Sequence, residues 1–393
     1  MPSELNPAAL GPALDPPAVA TAHPWWRRAV ADGMYRSGML RLVCRAAKTW
    51  ELPADNKLAI RRAARPKLAI LCYHRVGTKG IPLYSALPPG VFAAQMRHLR
   101  KNYRILSLAE LCDELVHPRS VEPGVAITFD DGYADLFHCA FSVLREYRIP
   151  ATIFLAVGAV ESGSAPWYDK IFAALQVLPG PALELDLGAP VRFTLGSPVE
   201  RLEVAQEIVR RLRKLTDKQR QGCCDHLERT AALPPEVFSG CMLSWEQIRA
   251  MHRAGVAFGS HTVSHRVMSR LQPADVRHEL RESKRIIEER LGASIDTLAF
   301  PFGQPADMAL PTGIALVDFG YRCACTTVEG TNGPGANPYE LRRTQVCEER
   351  SLSFFAWKLN ALFLQGNPRR TALPLPRNAQ SEEQGSAVEV QRA

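Results

Sequence analysis

Val125-Ala-Ile-Thr-Phe-Asp-Asp-Gly-Tyr-Ala-Asp135, VAITFDDGYAD, is the stretch on which the reading of this chain turns. Val125 to Phe129 is a short apolar run with β-branched residues, the composition of a strand covered on both faces. Asp130 and Asp131 follow at once, and Gly132 then permits a tight turn. A carboxylate at a buried strand end is costly unless a partner or a metal compensates, and two side by side repel each other. One reading is a helix N-cap followed by a solvated turn residue. The other is a cation site. A second stretch, Gly259-Ser-His-Thr-Val-Ser-His265, also follows an apolar run and favours the latter.

Outward from this stretch the pattern alternates. Leu68 to Tyr73 reads as a buried strand ending at His74, and Phe92–Tyr103 and Ser107–Val116 read as helices. A helix from about Ala134 to Tyr147 and a strand in Ala151–Val157 come next. Alternation of this kind implies parallel strands with right-handed crossovers, whose sites gather at the carboxyl ends. His74, Asp130 and Asp131 all occupy such ends. Residues 161–241 break the rhythm, with Trp167-Tyr168-Asp169 leading a helical run, a Pro/Gly-rich patch near 178–190 and a charged helix around 199–215. This is too long for an ordinary connection and is expected as an insertion over the mouth of the site, or as structural padding. Regular order resumes with Ser244 capping a helix that Gly255 stops, a strand into His261, a charged helix closed by Gly292, and strands at 297–300, 321–327 and 339–346. A last aromatic helix, 351–365, is expected against the barrel.

The ends of the chain read differently. Residues 1–66 form a basic extension, Pro- and Ala-rich and unstructured over 1–23. Eleven Lys or Arg against three acidic residues between Arg27 and Lys67 account for the whole net charge of +8. The charge therefore belongs to that extension and not to the site. Residues 25–50 suit either a helix on the barrel or a peripheral contact with a membrane surface. No nucleic-acid reading motif accompanies the charge. Neither a signal peptide nor a transmembrane helix is expected, and ten scattered cysteines without CxxC pairs point to reduced thiols. Cytoplasmic residence, with the inner membrane surface as an alternative, is the expectation. The polar tail after 366 is expected to be disordered.

His261 and His265 lie four residues apart and face one way on a turn or helix. Taken alone, such a spacing suits a pair of structural histidines as well; neutral imidazoles suit zinc, a carboxylate such as Asp131 can complete three protein ligands with a position open for water, and the DD at a strand end favours the metal site. Thr262 rather than Glu follows the first His, so this is not HExxH, and the base must come from another strand. Asp130 is its supplier.

TFDDGY (128–133), SHTVSH (260–265), LAFPFG (298–303) and CYHRV (72–76), in this order, resemble the polysaccharide deacetylases, carbohydrate esterase family 4 with the NodB-homology domain, and their YHxV-bearing branch most. The likeness spans roughly 68–346, apart from the insertion. It implies a distorted (β/α)7 TIM-like barrel over 67–350 with a helical insertion, and a C-terminal helix and tail over 351–393. It also implies a divalent metal, zinc first, and removal of acetyl from N-acetylhexosamine units of a glycan. By that match Asp130 is the base, and Asp131, His261 and His265 are the metal ligands. Tyr133, Pro301 and Phe302 of the motifs, with Trp167 at the head of the insertion, are expected on the sugar. Two departures stand out. The place of the family's base-orienting Arg holds Ala299, and no histidine follows His278 to serve as the late acid. His74 is the candidate acid. Arg343 is either a stand-in for the missing Arg or a salt-bridged structural residue. An amide hydrolase on a lipid-linked aminosugar at a membrane face, and a non-catalytic carbohydrate-binding barrel, are the rival expectations.

Overall fold

The strand foreseen in the quoted stretch is there: Gly124–Phe129, six consecutive buried residues, in a computed structural model describing residues 67–77, 86–118, 123–308, 316–346 and 351–364. Strands are numbered along the chain as β1 Leu68–Tyr73, β2 Arg104–Ile105, β3 Gly124–Phe129, β4 Ala151–Leu155, β5 Ala182–Asp186, β6 Pro190–Thr194, β7 Ala257–Ser260, β8 Thr297–Ala299, β9 Cys323–Cys325 and β10 Thr344–Gln345. The helices are α1 Pro89–Asn102, α2 Leu108–Val116, α3 Phe141–Tyr147, α4 Val157–Ser162, α5 Trp167–Val177, α6 Pro198–Leu212, α7 Asp217–Thr230, α8 Trp245–Arg253, α9 Pro273–Leu291 and α10 Leu352–Leu364.

The main sheet is parallel in the order β10-β1-β3-β4-β7-β8-β9, with β2 alongside the start of β3. It curls until its edges meet: Leu341, just before β10, bridges Cys325 of β9, and β10 pairs with β1. Seven strands thus close into a distorted (β/α)7 barrel, the class expected from the sequence. Alternation sorts the side chains. Ala69, Leu71 and Tyr73 of β1 and Val125, Ile127 and Phe129 of β3 pack against Phe92, Met96 and Leu99 of α1. Ile70, Ala126, Phe154, Ala299 and Cys325, from five strands, meet one another inside the barrel. Cys72, His74, Thr128 and Asp130 share the parity of the inner set.

Differences from expectation are local. β9 and β10 are shorter than the stretches foreseen, because a 3-10 turn at Pro338–Glu340 takes the start of the last one. The Pro/Gly-rich patch near 178–190 runs into the antiparallel hairpin β5–β6, whose Leu183 and Leu185 face the insertion's own core with Phe172, Ile208 and Leu212. α10 packs on the barrel as expected, Phe355, Leu359 and Leu362 joining the α1 layer and Lys67 donating to the Phe363 carbonyl at 2.6 Å. The expectations for 1–66, including 25–50, and for the tail after 366 lie outside the described residues. Among those described, no helix is long and apolar enough to cross a membrane.

Candidate active site

Asp130 leaves the end of β3 with its side chain inside the barrel, 2 % exposed. From the turn entering β10, on the other side of β1, Arg343, 0 % exposed, reaches it. Nη1 donates to Oδ1 at 2.6 Å and Nη2 to Oδ2 at 2.7 Å, a fork that fixes the plane of the carboxylate. Nε of Arg343 donates to the Thr326 carbonyl at 2.8 Å, so the guanidinium is itself held. Burial alone would raise the Asp130 pKa, but the Arg343 guanidinium, by charge and by hydrogen bond, overcomes it and keeps the group well below the usual carboxylate range. Arg343 is thus ion-paired to Asp130 from the last strand, where Ala299 of the third motif offers no such group.

Asp131 turns the other way because its backbone is left-handed, φ 70°, followed by Gly132 at φ 88°. That φ favours glycine, and a Cβ there would also press on Leu155 Cδ2 at 2.8 Å. Thr262 (φ 66°), His265 (φ 51°) and Phe302 (φ 60°) share this disfavoured region and surround the same centre. A β-branched Thr there is strained, and such strain persists only where the surroundings impose it. Here they do. Val157 and Gly158, opening α4, donate to the carbonyls of Thr262 (3.0 Å) and Val263 (2.8 Å). From α9 the buried Glu279 accepts from Val263 N–H at 2.8 Å, Ser264 N–H at 2.9 Å and the Ser264 hydroxyl, with Arg266 Nη2 at 3.0 Å. The stretch 261–265 is thus a braced turn, not a helix.

That turn brings three ligand atoms together. His265 Nε2 lies 3.2 Å from His261 Nε2 and 3.4 Å from Asp131 Oδ1, and His261 Nε2 lies 3.6 Å from the same oxygen. Four-coordinate zinc with bonds of about 2.0–2.1 Å places neighbouring ligand atoms about 3.3–3.4 Å apart. The set fits. His261 Nδ1 sits 2.6 Å from the Ala299 carbonyl, which can only accept, so Nε2 keeps its lone pair for the centre. Burial lowers the pKa of both imidazoles and keeps them neutral. Burial and then Asp130 drive the Asp131 carboxyl well above its usual range, and both its oxygens lack a hydrogen-bond partner among the described residues. A cation held by Asp131, His261 and His265 would supply the missing compensation. Cys72, His74 and Asp130 also converge within 4.8 Å, but Arg343 already holds both oxygens of Asp130, and its charge opposes a metal there.

His74 ends β1 beside Asp130, with burial pushing its pKa down to about 4, Asp130 opposing and Arg343 and His261 adding to the fall. It rests neutral. Phe302 and Trp167 form a half-buried aromatic rim, ring centres 6.4 Å apart, with Phe302 5.0 Å from His265. Tyr133 and Pro301 depart from expectation. Both are buried, and Tyr133 donates its hydroxyl to Asp169 at 2.8 Å under the Arg75 guanidinium, so neither side chain is open to a sugar. Glu279 and Tyr168 carry no sequence signal that singles them out: one lies in a uniformly charged helix, the other in an aromatic helix start.

The profile of the family described as "Polysaccharide deacetylase" matches residues 118–322. The Bacillus subtilis (strain 168) protein YxkH, which bears a polysaccharide-deacetylase name, is 23 % identical over 303 residues, 77 % of this chain and 79 % of that one. The solved Streptococcus pyogenes deacetylase PplD in complex with acetate superposes with a TM-score of 0.51 at 19 % identity, covering 75 % of this chain and 98 % of that one. IcaB from Ammonifex degensii gives 0.49 at 22 %, covering 76 % and 98 %. With a family profile spanning more than half its length, the chain belongs to the polysaccharide deacetylases, hydrolases of carbon–nitrogen bonds other than peptides.

Proposed function

We propose that this chain is a metal-dependent deacetylase that hydrolyses the N-acetyl group of N-acetylhexosamine units in a glycan. The convergence of Asp131, His261 and His265 beside an Arg343-clamped Asp130 carries the reading. Asp131, His261 and His265 would hold a divalent ion, zinc first. Bound there, such an ion polarises a carbonyl and lowers the pKa of water. Asp130, its plane fixed by Arg343 and its Oδ2 3.9 Å from His261 Nε2, is the base that removes the proton of the attacking water. His74 rests neutral and can protonate the leaving nitrogen only after a proton has entered the site, so it acts as a shuttle from Asp130's side of the lumen. Trp167 and Phe302 offer faces on which a sugar ring can stack.

The test is acetate release from a panel of N-acetylated glycans and lipid-linked aminosugars, with metal content measured on the same samples. Stoichiometric metal and acetate released from a glycan are expected. Release from lipid-linked sugars alone moves the substrate to that class, and no release from any substrate by metal-loaded protein overturns the reading. His265→Ala is expected to lose the ion while keeping the fold. His74→Ala is expected to slow an amide far more than an activated acetate ester, whose leaving group needs little protonation. Equal losses would make His74 structural.

A further inference from the structure

We propose that the mouth of the site is a subsite for an anion, so that the N-acetylhexosamine cut here stands beside a carboxylate or a phosphate on the same glycan. This deepens the glycan reading above and rests on it. Outside the N-terminal extension the chain is balanced in charge, but the balance is uneven. Residues 210–220, where α6 ends and α7 begins, hold six Lys or Arg against one acid, Asp217. This segment lies on the aromatic rim. Arg213 stands 3.9 Å over the Phe302 ring and Arg220 5.3 Å over the Trp167 ring, and Phe302 is itself 5.0 Å from His265. A sugar stacked on the rim therefore meets two guanidiniums, one ring away from a proposed metal ligand.

Both guanidiniums keep donors to spare. Arg213 gives Nη2 to Asp307, and Nη2 of Arg220 meets Asp217 at 2.8 Å, so Nε and Nη1 of each have no partner among the described residues. A planar fork of this kind matches the paired oxygens of a carboxylate or phosphate. Asp217 is divided between Arg220 and Arg266, and Arg266 also pairs with Glu279. With those groups neutralising one another, Lys214 and Lys218, exposed at the same turn, carry the uncompensated charge that draws an anion in. The rim is also fixed relative to the floor of the site, because the insertion is bonded there at both ends. Near its start Asp169 Oδ2 accepts from the Tyr133 hydroxyl at 2.8 Å. At its end Ala134 N–H donates to the Cys241 carbonyl at 2.8 Å, and Leu243 N–H donates to that of Gly132 at 2.9 Å. Donors held in place in this way lose little freedom on binding.

The test compares three intact oligomers of matched length: neutral N-acetylglucosamine, N-acetylglucosamine alternating with a uronic acid, and N-acetylglucosamine joined through phosphodiesters. Affinity is read by calorimetry on metal-free protein, and acetate release is read separately on metal-loaded protein. At about 0.05 M salt the wild type is expected to bind one of the anionic oligomers about tenfold more tightly than the neutral one, and at about 0.5 M most of that preference is lost. Which of the two shows the preference distinguishes carboxylate from phosphate. Arg220→Gln is expected to abolish it, the anionic affinity falling about tenfold and the neutral affinity far less, while Arg220→Lys retains part. Arg97→Gln removes the same charge from α1, where Arg97 meets Tyr147, and is expected to leave the preference intact. Equal wild-type affinity for neutral and anionic oligomers overturns the proposal, as does a preference that salt does not weaken or an equal loss in Arg97→Gln. Equal loss of neutral and anionic binding in Arg220→Gln makes Arg220 a prop for Trp167 and removes it from the subsite. No acetate from any of the three overturns the deacetylase reading instead, and is seen apart from the affinities.

Discussion

Asp130 and Arg343 are a buried ion pair before they are any part of the proposed catalytic arrangement. Asp130→Asn removes the proton acceptor but also strands the Arg343 charge in the barrel, and breaking a buried pair costs about 3–5 kcal/mol. The single variant is therefore expected to melt well below wild type and to lose about two to four orders of magnitude in turnover. Asp130→Asn with Arg343→Met recovers stability and no activity, which denaturation and rate measurements on the same preparations separate. If the double variant is no more stable than the single, the pair is not what the pocket is strained around. The sequence showed the four residues of the DD and HxxxH stretches plainly because their types and spacing are tied to ligand chemistry. It left Arg343 with two meanings, since a guanidinium 213 positions away declares its partner only once β10 lies beside β1.

At the level of the element, α5 carries a buried acid whose titration can be followed. Burial raises the Asp169 pKa to about 7, against the Tyr133 hydroxyl and Arg75, with Asp135 adding to the rise. An acid with a folded pKa above its unfolded value binds its proton more tightly when folded. Its contribution to stability is complete below the ordinary value near 3.8 and is lost as pH climbs through about 7. Wild-type melting temperature is thus expected to fall between pH 5 and pH 8, and Asp169→Asn, which cannot ionise, to flatten that fall. A variant with the wild-type slope would assign the titration elsewhere. Helices with clean caps were legible: Ser107–Glu110 and Ser244–Gln247 form capping boxes where the sequence places helix starts. The hairpin β5–β6 was not. Its alternation spans only five residues a side, and its half-exposed strands lack the continuous apolar signal of the barrel.

For the whole molecule, insertion and barrel are latched at the rim as well as at the floor. Arg213, capping α6, stacks 3.9 Å over Phe302 and donates to both oxygens of Asp307 at 2.8 Å. Arg213→Ala is expected to raise KM about two- to fivefold, the worth of one exposed cation–π contact, with kcat nearly unchanged. An equal fall in kcat would place Arg213 nearer the reacting atoms than the rim. The barrel itself was legible from strand–helix alternation, and the insertion only as an interruption, because its contacts with the turn at 132–134 join distant stretches that no local pattern connects. Closure of the sheet between β9 and the strand after Arg343 also sets an order of events during synthesis. A nascent chain that has emerged only through β4 holds Asp130 at the end of a strand with no cation to meet it, and contacts of such long separation form late. The barrel can settle only after the final strand leaves the ribosome, so chains cut short before residue 343 are expected to be cleared by proteases, and the cell never holds a half-built enzyme for long.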